Sequence, residues 1–353
     1  MKDFRIKYLY FLSGLIFLTA LGLIGWFGYS YFENSLKKFN ITTTGINEIV
    51  GKCDFQRILD GVCVKSLTEV NPGVVGVMIE NHTEARPQAG INEARVVYEI
   101  PAEGNITRFL ALFLANQKVD KIGPVRSARA YYLDYLGEYG TPLYMHVGGS
   151  PEALDLIKSR GIDDLNEFYN GGYYWRAENR VAPHNVYTNS ELWNKVIGKE
   201  QGIRNKEKVD WVGWKFATSS SILNDNNINK IKIDFNLKNY NVVWQFNSST
   251  QKLERFVGEV AHLDEQNRII LADNVAVIAT SMLVIDEVGR LDIKTVGTGK
   301  AVVYKNGQVI IGTWQKNSLN SRTRFYDEQN QEIVFNPGKV WVEVVGDIGK
   351  VSW

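Results

Sequence analysis

The sequence predicts a mixed α/β (α+β) domain followed by a mostly β domain, the pair preceded by one transmembrane helix. Three observations predict it. Residues 8–32 carry no charged side chain, and at about 1.5 Å per residue such a run crosses a bilayer core about 30 Å thick. Between residues 71 and 217, short apolar runs alternate with stretches of helical periodicity. Beyond residue 230 the runs are short, β-rich in composition and separated by turn residues.

The elements follow in order. Residues 1–7 hold Lys2, Arg5 and Lys7, and Glu33, Lys37 and Lys38 follow the apolar run. This bias puts the N-terminus in the cytoplasm and the body outside, on a single-pass signal-anchor in the cell membrane. Tyr8, Tyr10, Trp26, Tyr29 and Tyr31 lie where an aromatic belt would form. No cysteine lies in or just after the run, so a lipoprotein-type acceptor is absent there. Residues 33–70 read as a tether. It holds the two cysteines of the chain, Cys53 and Cys63, and an external setting favours a disulfide between them over two free thiols.

In the domain over 71–217, Val74–Glu80 reads as a buried strand, followed by strands over Ala94–Ile100 and Thr107–Leu114. The stretch Lys121-Ile-Gly-Pro-Val-Arg-Ser-Ala-Arg129 reads as a turn into a helix. Pro124 suits a first helical position, and Arg126 and Arg129, three apart, would share one side of it. A strand over Leu143–Val147 ends near His146. Gly148-Gly149 turns the chain, Ser150 caps a helix to about Ser159, and Ser190 caps another to about Gly198. The polar run Thr218–Asn229 marks the domain boundary. In the β domain over 230–353, Lys305-Asn-Gly307 is a hairpin signal. Trp244, Trp314 and Trp341 read as core, and Arg322 and Arg324 as a solvated face.

Lys plus Arg is 40 and Asp plus Glu is 39, so the chain has no charge excess to hold nucleic acid. No Cys/His cluster has zinc spacing, and no dinucleotide fingerprint is present, so neither metal nor cofactor is expected. The polar residues gather at strand ends. Arg108, Arg126, Ser127 and Arg129, with Gly148, Gly149, Ser150, His184 and Asn185, would suit a carboxylate, a phosphate or an acidic glycan. Glu80, Glu103 and His146 are the candidates for acid–base work. Ser127 or Ser150 with a histidine is a weaker nucleophile pair, since no G-x-S-x-G elbow exists. His146, His184 and a glutamate form a weak metal trio. The expected partners are the membrane, and then a cell-wall glycan or a membrane-bound wall synthase.

Several motifs resemble one known family. They are Val77-Met-Ile-Glu-Asn81 with Ala85-Arg-Pro-Gln88, Glu103-Gly-Asn-Ile-Thr-Arg-Phe-Leu110, Gly123–Arg129, His146-Val-Gly-Gly-Ser-Pro151 and Ala182-Pro-His-Asn185. They continue with Gly299–Tyr304, Gly312-Thr-Trp314, Ser321–Tyr326 and Asn336-Pro-Gly338. Their order over about residues 70–346 is similar to that of the YerB family of bacterial extracytoplasmic, membrane-attached proteins, whose domain is catalogued as being of unknown function. The resemblance implies a cell-envelope role in regulating peptidoglycan synthesis. It supplies no reaction and no catalytic residue. The alternative reading is an envelope hydrolase or transferase acting on glycan or peptide through Glu80, Glu103 and His146.

Overall fold

Every residue of Val74–Glu80 is buried. A strand reading Val-Val-Gly-Val-Met-Ile-Glu has no polar face, so it belongs inside a sheet covered on both sides. The computed structural model describes Trp26 and residues 53–200, 211–218 and 228–353, and it places this strand so. The expected membrane span and the tether as far as residue 52 lie outside the described residues, Trp26 apart. Among the described residues no helix is long and apolar enough to cross a membrane.

The first segment holds β1 (Phe55–Gln56), β2 (Cys63–Val64), β3 (Val74–Glu80), β4 (Val96–Pro101) and β5 (Thr107–Leu114). It continues with α1 (Ala130–Leu136), β6 (Leu143–His146), α2 (Pro151–Ser159), β7 (Asp164–Asn166), β8 (Trp175–Arg176), β9 (Val186–Tyr187) and α3 (Ser190–Glu200). Then come β10 (Lys230–Ile233), β11 (Val242–Asn247), β12 (Lys252–Val257), β13 (Val260–Ala261), β14 (Leu271–Ala272) and β15 (Asn274–Ala279). The last are β16 (Met282–Val284), β17 (Leu291–Ile293), β18 (Gly297–Lys305), β19 (Gln308–Lys316), β20 (Arg324–Asp327), β21 (Val340–Val345) and β22 (Val351–Ser352). Cys53 and Cys63 form a disulfide beside the β1–β2 pair.

One sheet of ten strands runs β20-β19-β18-β15-β21-β4-β5-β3-β6-β7. It takes strands from both sides of the polar run 218–229. The join is β21 against β4, a parallel pair that sets Trp341 opposite Val97 and Glu343 opposite Glu99. A second sheet of β13-β12-β11-β10-β22, with β14 on β12, packs on one face through Ile231, Trp244 and Leu253. The helix α1 and the Trp214–Phe216 segment, bridged to Phe335, cover the other face with Tyr132, Leu136 and Trp214. Residues Cys53–Trp353 make one compact unit.

The apolar runs Val275–Ile285 and Glu332–Phe335 read in sequence as single strands, but the first divides into β15 and β16, and the second makes only isolated bridges, to Tyr326 and Phe216. The Asn306-Gly307 hairpin forms as expected between β18 and β19. Both residues take positive φ, 52° and 68°, as a two-residue turn of this hand requires. Trp244, Trp314 and Trp341 are core. Arg322 is buried rather than solvated, against the Trp214 and Tyr139 rings.

The join between the two segments is polar although fully buried. Arg255 pairs with Glu99, and Glu99 also accepts from Asn81 Nδ2 at 3.2 Å and Thr107 Oγ1 at 2.6 Å. Glu343 lies beside this pair and accepts from Trp244 Nε1 at 2.7 Å. Burial first, then the Glu99 carboxylate, pushes the Glu343 carboxyl well above its usual range, against the pull of Arg255. The folded chain therefore keeps a proton that the unfolded chain releases. The stability this contributes is complete below about pH 4.5 and is lost as pH rises towards the folded pKa. Glu343→Gln removes that loss. Urea unfolding should show the variant gaining on the parent as pH rises above about 4.5, whereas parallel stability–pH curves would refute the assignment.

Candidate anion-binding site

The strands β3 and β6 are parallel, and β5 runs against β3. Glu80 at the end of β3, Arg108 at the start of β5, the Glu103 loop after β4 and His146 at the end of β6 therefore share one end of the sheet. Ligand sites of α/β sheets gather at such an end.

The stretch Lys121–Arg129 arrives there, but not as a helix start. Pro124 follows a cis peptide bond, and residues 122–128 run extended. Their backbone groups are used by neighbouring strands: Val125 N donates to Val186 O at 2.7 Å, Arg126 N to Met78 O at 2.9 Å and Ala128 N to Gly148 O at 3.0 Å. Gly123 is required by crowding, since a Cβ there would lie 2.8 Å from Val186 O. The helix α1 begins only at Ala130, after Arg129 in extended conformation. No helix N-terminus therefore opens at Pro124, and the two arginines do not share a helical side.

Each arginine instead reaches its own carboxylate. Arg126 pairs with Glu80, and Arg129 grips Glu103 with two hydrogen bonds, one of them Nη2 to Oε2 at 2.7 Å. Glu80 Oε1 also accepts from the backbone N–H of Asn81 at 3.0 Å and of His82 at 3.2 Å. Burial would raise the Glu80 carboxyl, but Arg108 and Arg126 outweigh it and hold it below the usual range. Glu103 is likewise held low against its burial by Arg129 and Arg108, and Arg129 is raised in return. Both glutamates are thus ionised near neutral pH.

Arg108 acts on both carboxylates through space but is hydrogen-bonded to neither. It is 5% exposed, donates from Nη1 to Ser127 O at 2.9 Å, and leaves its buried Nε without a partner. Three guanidiniums thus face two carboxylates, with one positive charge left over.

The other expected residues take separate roles. His146 is enclosed, with Nδ1 2.8 Å from Gly148 O and Nε2 3.0 Å from Asp164 Oδ2. A carbonyl can only accept, so Nδ1 carries a proton, and neither nitrogen is free for a substrate. Ser150 caps α2 as expected, accepting from Ala153 N at 3.2 Å. Gly148 gives its N–H to Asn166 Oδ1 at 2.9 Å and lies under the Phe168 ring, and Gly149 bridges to Ala128. Asn185 Oδ1 accepts from Arg176 at 3.1 Å.

His184 does reach the cluster, its Nδ1 3.9 Å from Glu80 Oε2. Burial lowers its pKa first, with His82 and Arg126 adding to this and Glu80 opposing it, so its ring is neutral at pH 7. The sequence reading missed His82, which stacks on His184 at 4.9 Å, and Glu84 beside them. The only signal was position, at the end of a buried strand.

Two family models match the chain in order. Residues 61–204 match the N-terminal domain of the protein of unknown function DUF3048, and residues 231–342 match its C-terminal domain. The chain is 30% identical over 293 residues to "Putative lipoprotein YerB" of Bacillus subtilis (strain 168), across 82% of this chain and 85% of that one. The crystal structure of the YerB protein from Bacillus subtilis superposes with a TM-score of 0.73 at 28% identity, covering 85% of this chain and 99% of that chain. Matched by both domain models in order and by a relative along most of its length, the chain belongs to the DUF3048 family.

Proposed function

We propose that the chain is a membrane-attached, extracytoplasmic protein of the cell envelope whose arginine cluster binds an anionic cell-wall component and so regulates wall synthesis. The relative's name, a lipoprotein, supports envelope attachment. The apolar run 8–32 would supply the anchor in this chain. The observation that carries the binding reading is Arg108, a nearly buried guanidinium whose hydrogen bonding to the protein is incomplete. An arriving carboxylate or phosphate would balance the positive charge that Glu80 and Glu103 leave over, and a charge-assisted bond of that kind contributes about 1.5–3 kcal/mol.

The reading as a hydrolase or transferase is less well supported. Glu80 and Glu103 are held ionised by arginines, so neither is a ready proton donor, and His146 has both nitrogens engaged.

Titration of the full chain in detergent with soluble muropeptides and with teichoic acid tests the proposal. Arg126→Gln and Arg108→Gln should each weaken binding by about tenfold or more, with affinity falling as salt is added. Lys350→Gln, which breaks only the ion pair with Asp234, should bind as the parent does. Equal binding by all variants sinks the reading. Release of sugar or peptide fragments from wall material by the parent chain would favour the enzyme instead.

A further inference from the structure

Beside the arginine cluster, three side chains meet for which anion binding has no use. His82 and His184 stack with centroids 4.9 Å apart and planes 11° apart. Glu84 Oε2 lies 3.6 Å from His184 Nε2 and 3.8 Å from His82 Nδ1. One donor atom from each residue lies within 4.8 Å of the others. Donors on a tetrahedral metal at about 2.0–2.1 Å stand about 3.4 Å apart, so the set must close and one imidazole must turn out of the stack, since each nitrogen lone pair lies in its own ring plane. It is free to do so, because the Glu84 side chain is 74% exposed and the His82 side chain 32%.

Two further features point to a ligand. The buried Nδ1 of His184 has no hydrogen-bond partner, and it faces Glu80 Oε2 at 3.9 Å. A carboxylate behind the far nitrogen of a histidine is the arrangement that orients a metal-bound imidazole. The His82 tautomer is also suitable. Its Nδ1 accepts from Glu84 N at 3.2 Å, so that nitrogen is unprotonated and carries a lone pair. A metal would take the place of that long bond. Glu84 and His184 also line a cleft of about 590 Å³ with Asn179, Arg180, Val181 and Ala182, which gives entry from solvent.

We propose that His82, Glu84 and His184 form a mononuclear site for a divalent transition metal of the zinc class, with at least one coordination position open to this cleft. Two imidazoles and one carboxylate suit zinc, cobalt or nickel better than calcium or magnesium, which prefer all-oxygen sites. Two imidazoles, one carboxylate and an open position are also the donor set of a zinc site that binds an exchangeable ligand. The inference does not rest on the anion reading.

The test uses the untagged full chain in detergent, stripped with a chelator and titrated with Co2+, then with Zn2+ in competition. One Co2+ per chain should bind with the visible absorption of four- or five-coordination, and Zn2+ should displace it. The chain has four histidines, and His146 and His262 are enclosed, so the signal is assignable. His184→Ala should weaken binding by about tenfold to a hundredfold. Glu84→Ala should weaken it too, and its exposure means the fold is undisturbed. Absence of binding at micromolar Co2+ and Zn2+, or equal binding by the parent and both variants, overturns the site. Lys350→Gln, far from both sites, should leave Co2+ affinity within a few-fold of the parent, and because Co2+ is titrated with no wall anion present, this result is read apart from failure of the anion reading.

Discussion

Arg255→Met is expected to destabilise the chain by about 3–5 kcal/mol, the cost of leaving one partner of a buried ion pair alone. Arg255 and Glu99 are both fully buried. The guanidinium also meets His262 Nδ1, lies 4.9 Å from the Trp341 ring centre, and keeps its Nε without a partner. His262 Nε2 in turn donates to Gln88 Oε1 at 2.8 Å, so His262 is neutral, and burial, Arg255 and Arg86 all push its pKa down. Removing Arg255 leaves the Glu99 charge uncompensated beside Glu343. Glu99→Gln added to Arg255→Met should recover much of the loss, because the stranded charge is then gone. Urea unfolding decides it, and a single variant within about 1 kcal/mol of the parent would count against the pair. A consequence for the site follows. Asn81, which donates to Glu99, also accepts from Arg86 Nε at 3.1 Å and Gln88 Nε2 at 3.0 Å. The buried network thus fixes the residue next to Glu80, so its loss should weaken anion binding as well as the fold.

What could be read ahead of the structure was whatever is written locally. The unbroken apolarity of Val74–Glu80 marks a strand covered on both faces, the Asn306-Gly307 pair marks a tight hairpin, and Ser150-Pro151 marks a helix start. The strand ends that carry Glu80, Arg108 and His146 were placed correctly for the same reason. The stretch at Gly123-Pro124 was misread because a proline with fixed φ suits both a first helical turn and an extended run. Backbone bonds from Met78, Val186 and Gly148 decide between them, and these come from distant parts of the chain. The partners of Arg126 and Arg129 are long-range for the same reason. Nor does periodicity reveal that β21 sits between β15 and β4, since a parallel neighbour leaves no local mark. Buried charges such as Arg255 and Glu343 look like any surface residue in sequence.

The second large effect is expected at Glu138, on the opposite face of the sheet. Glu138 is buried and accepts from Lys316 Nζ at 3.0 Å, from Thr323 Oγ1 at 2.6 Å and N at 3.2 Å, and from Tyr98 Oη at 3.3 Å. Arg322 stands 3.5 Å from its other oxygen, with the guanidinium 3.6 Å from the Trp214 ring centre and 4.2 Å from that of Tyr139. One carboxylate therefore neutralises two enclosed cations. Glu138→Gln keeps the shape and removes the charge, so Lys316 and Arg322 are left to repel each other in a medium of low dielectric. A loss of about 3–5 kcal/mol is expected. Lys316→Met alone should also destabilise, since Leu319 O and Ser321 O lose their donor. Together the two substitutions should cost less than their sum by about 1–3 kcal/mol, because the double variant carries one fewer stranded charge. Thermal and urea unfolding of the four chains measures this coupling. Additivity within about 0.5 kcal/mol would show that the carboxylate is not what holds the cations. The outcome bears on function too. Ser321-Arg-Thr-Arg324 reads in sequence as a solvated face, yet Arg322 spends its charge on Glu138 and two ring faces. Substituting it should disturb the fold and leave anion binding at the proposed site, on the sheet end that carries Glu80 and Arg108, within a few-fold of the parent.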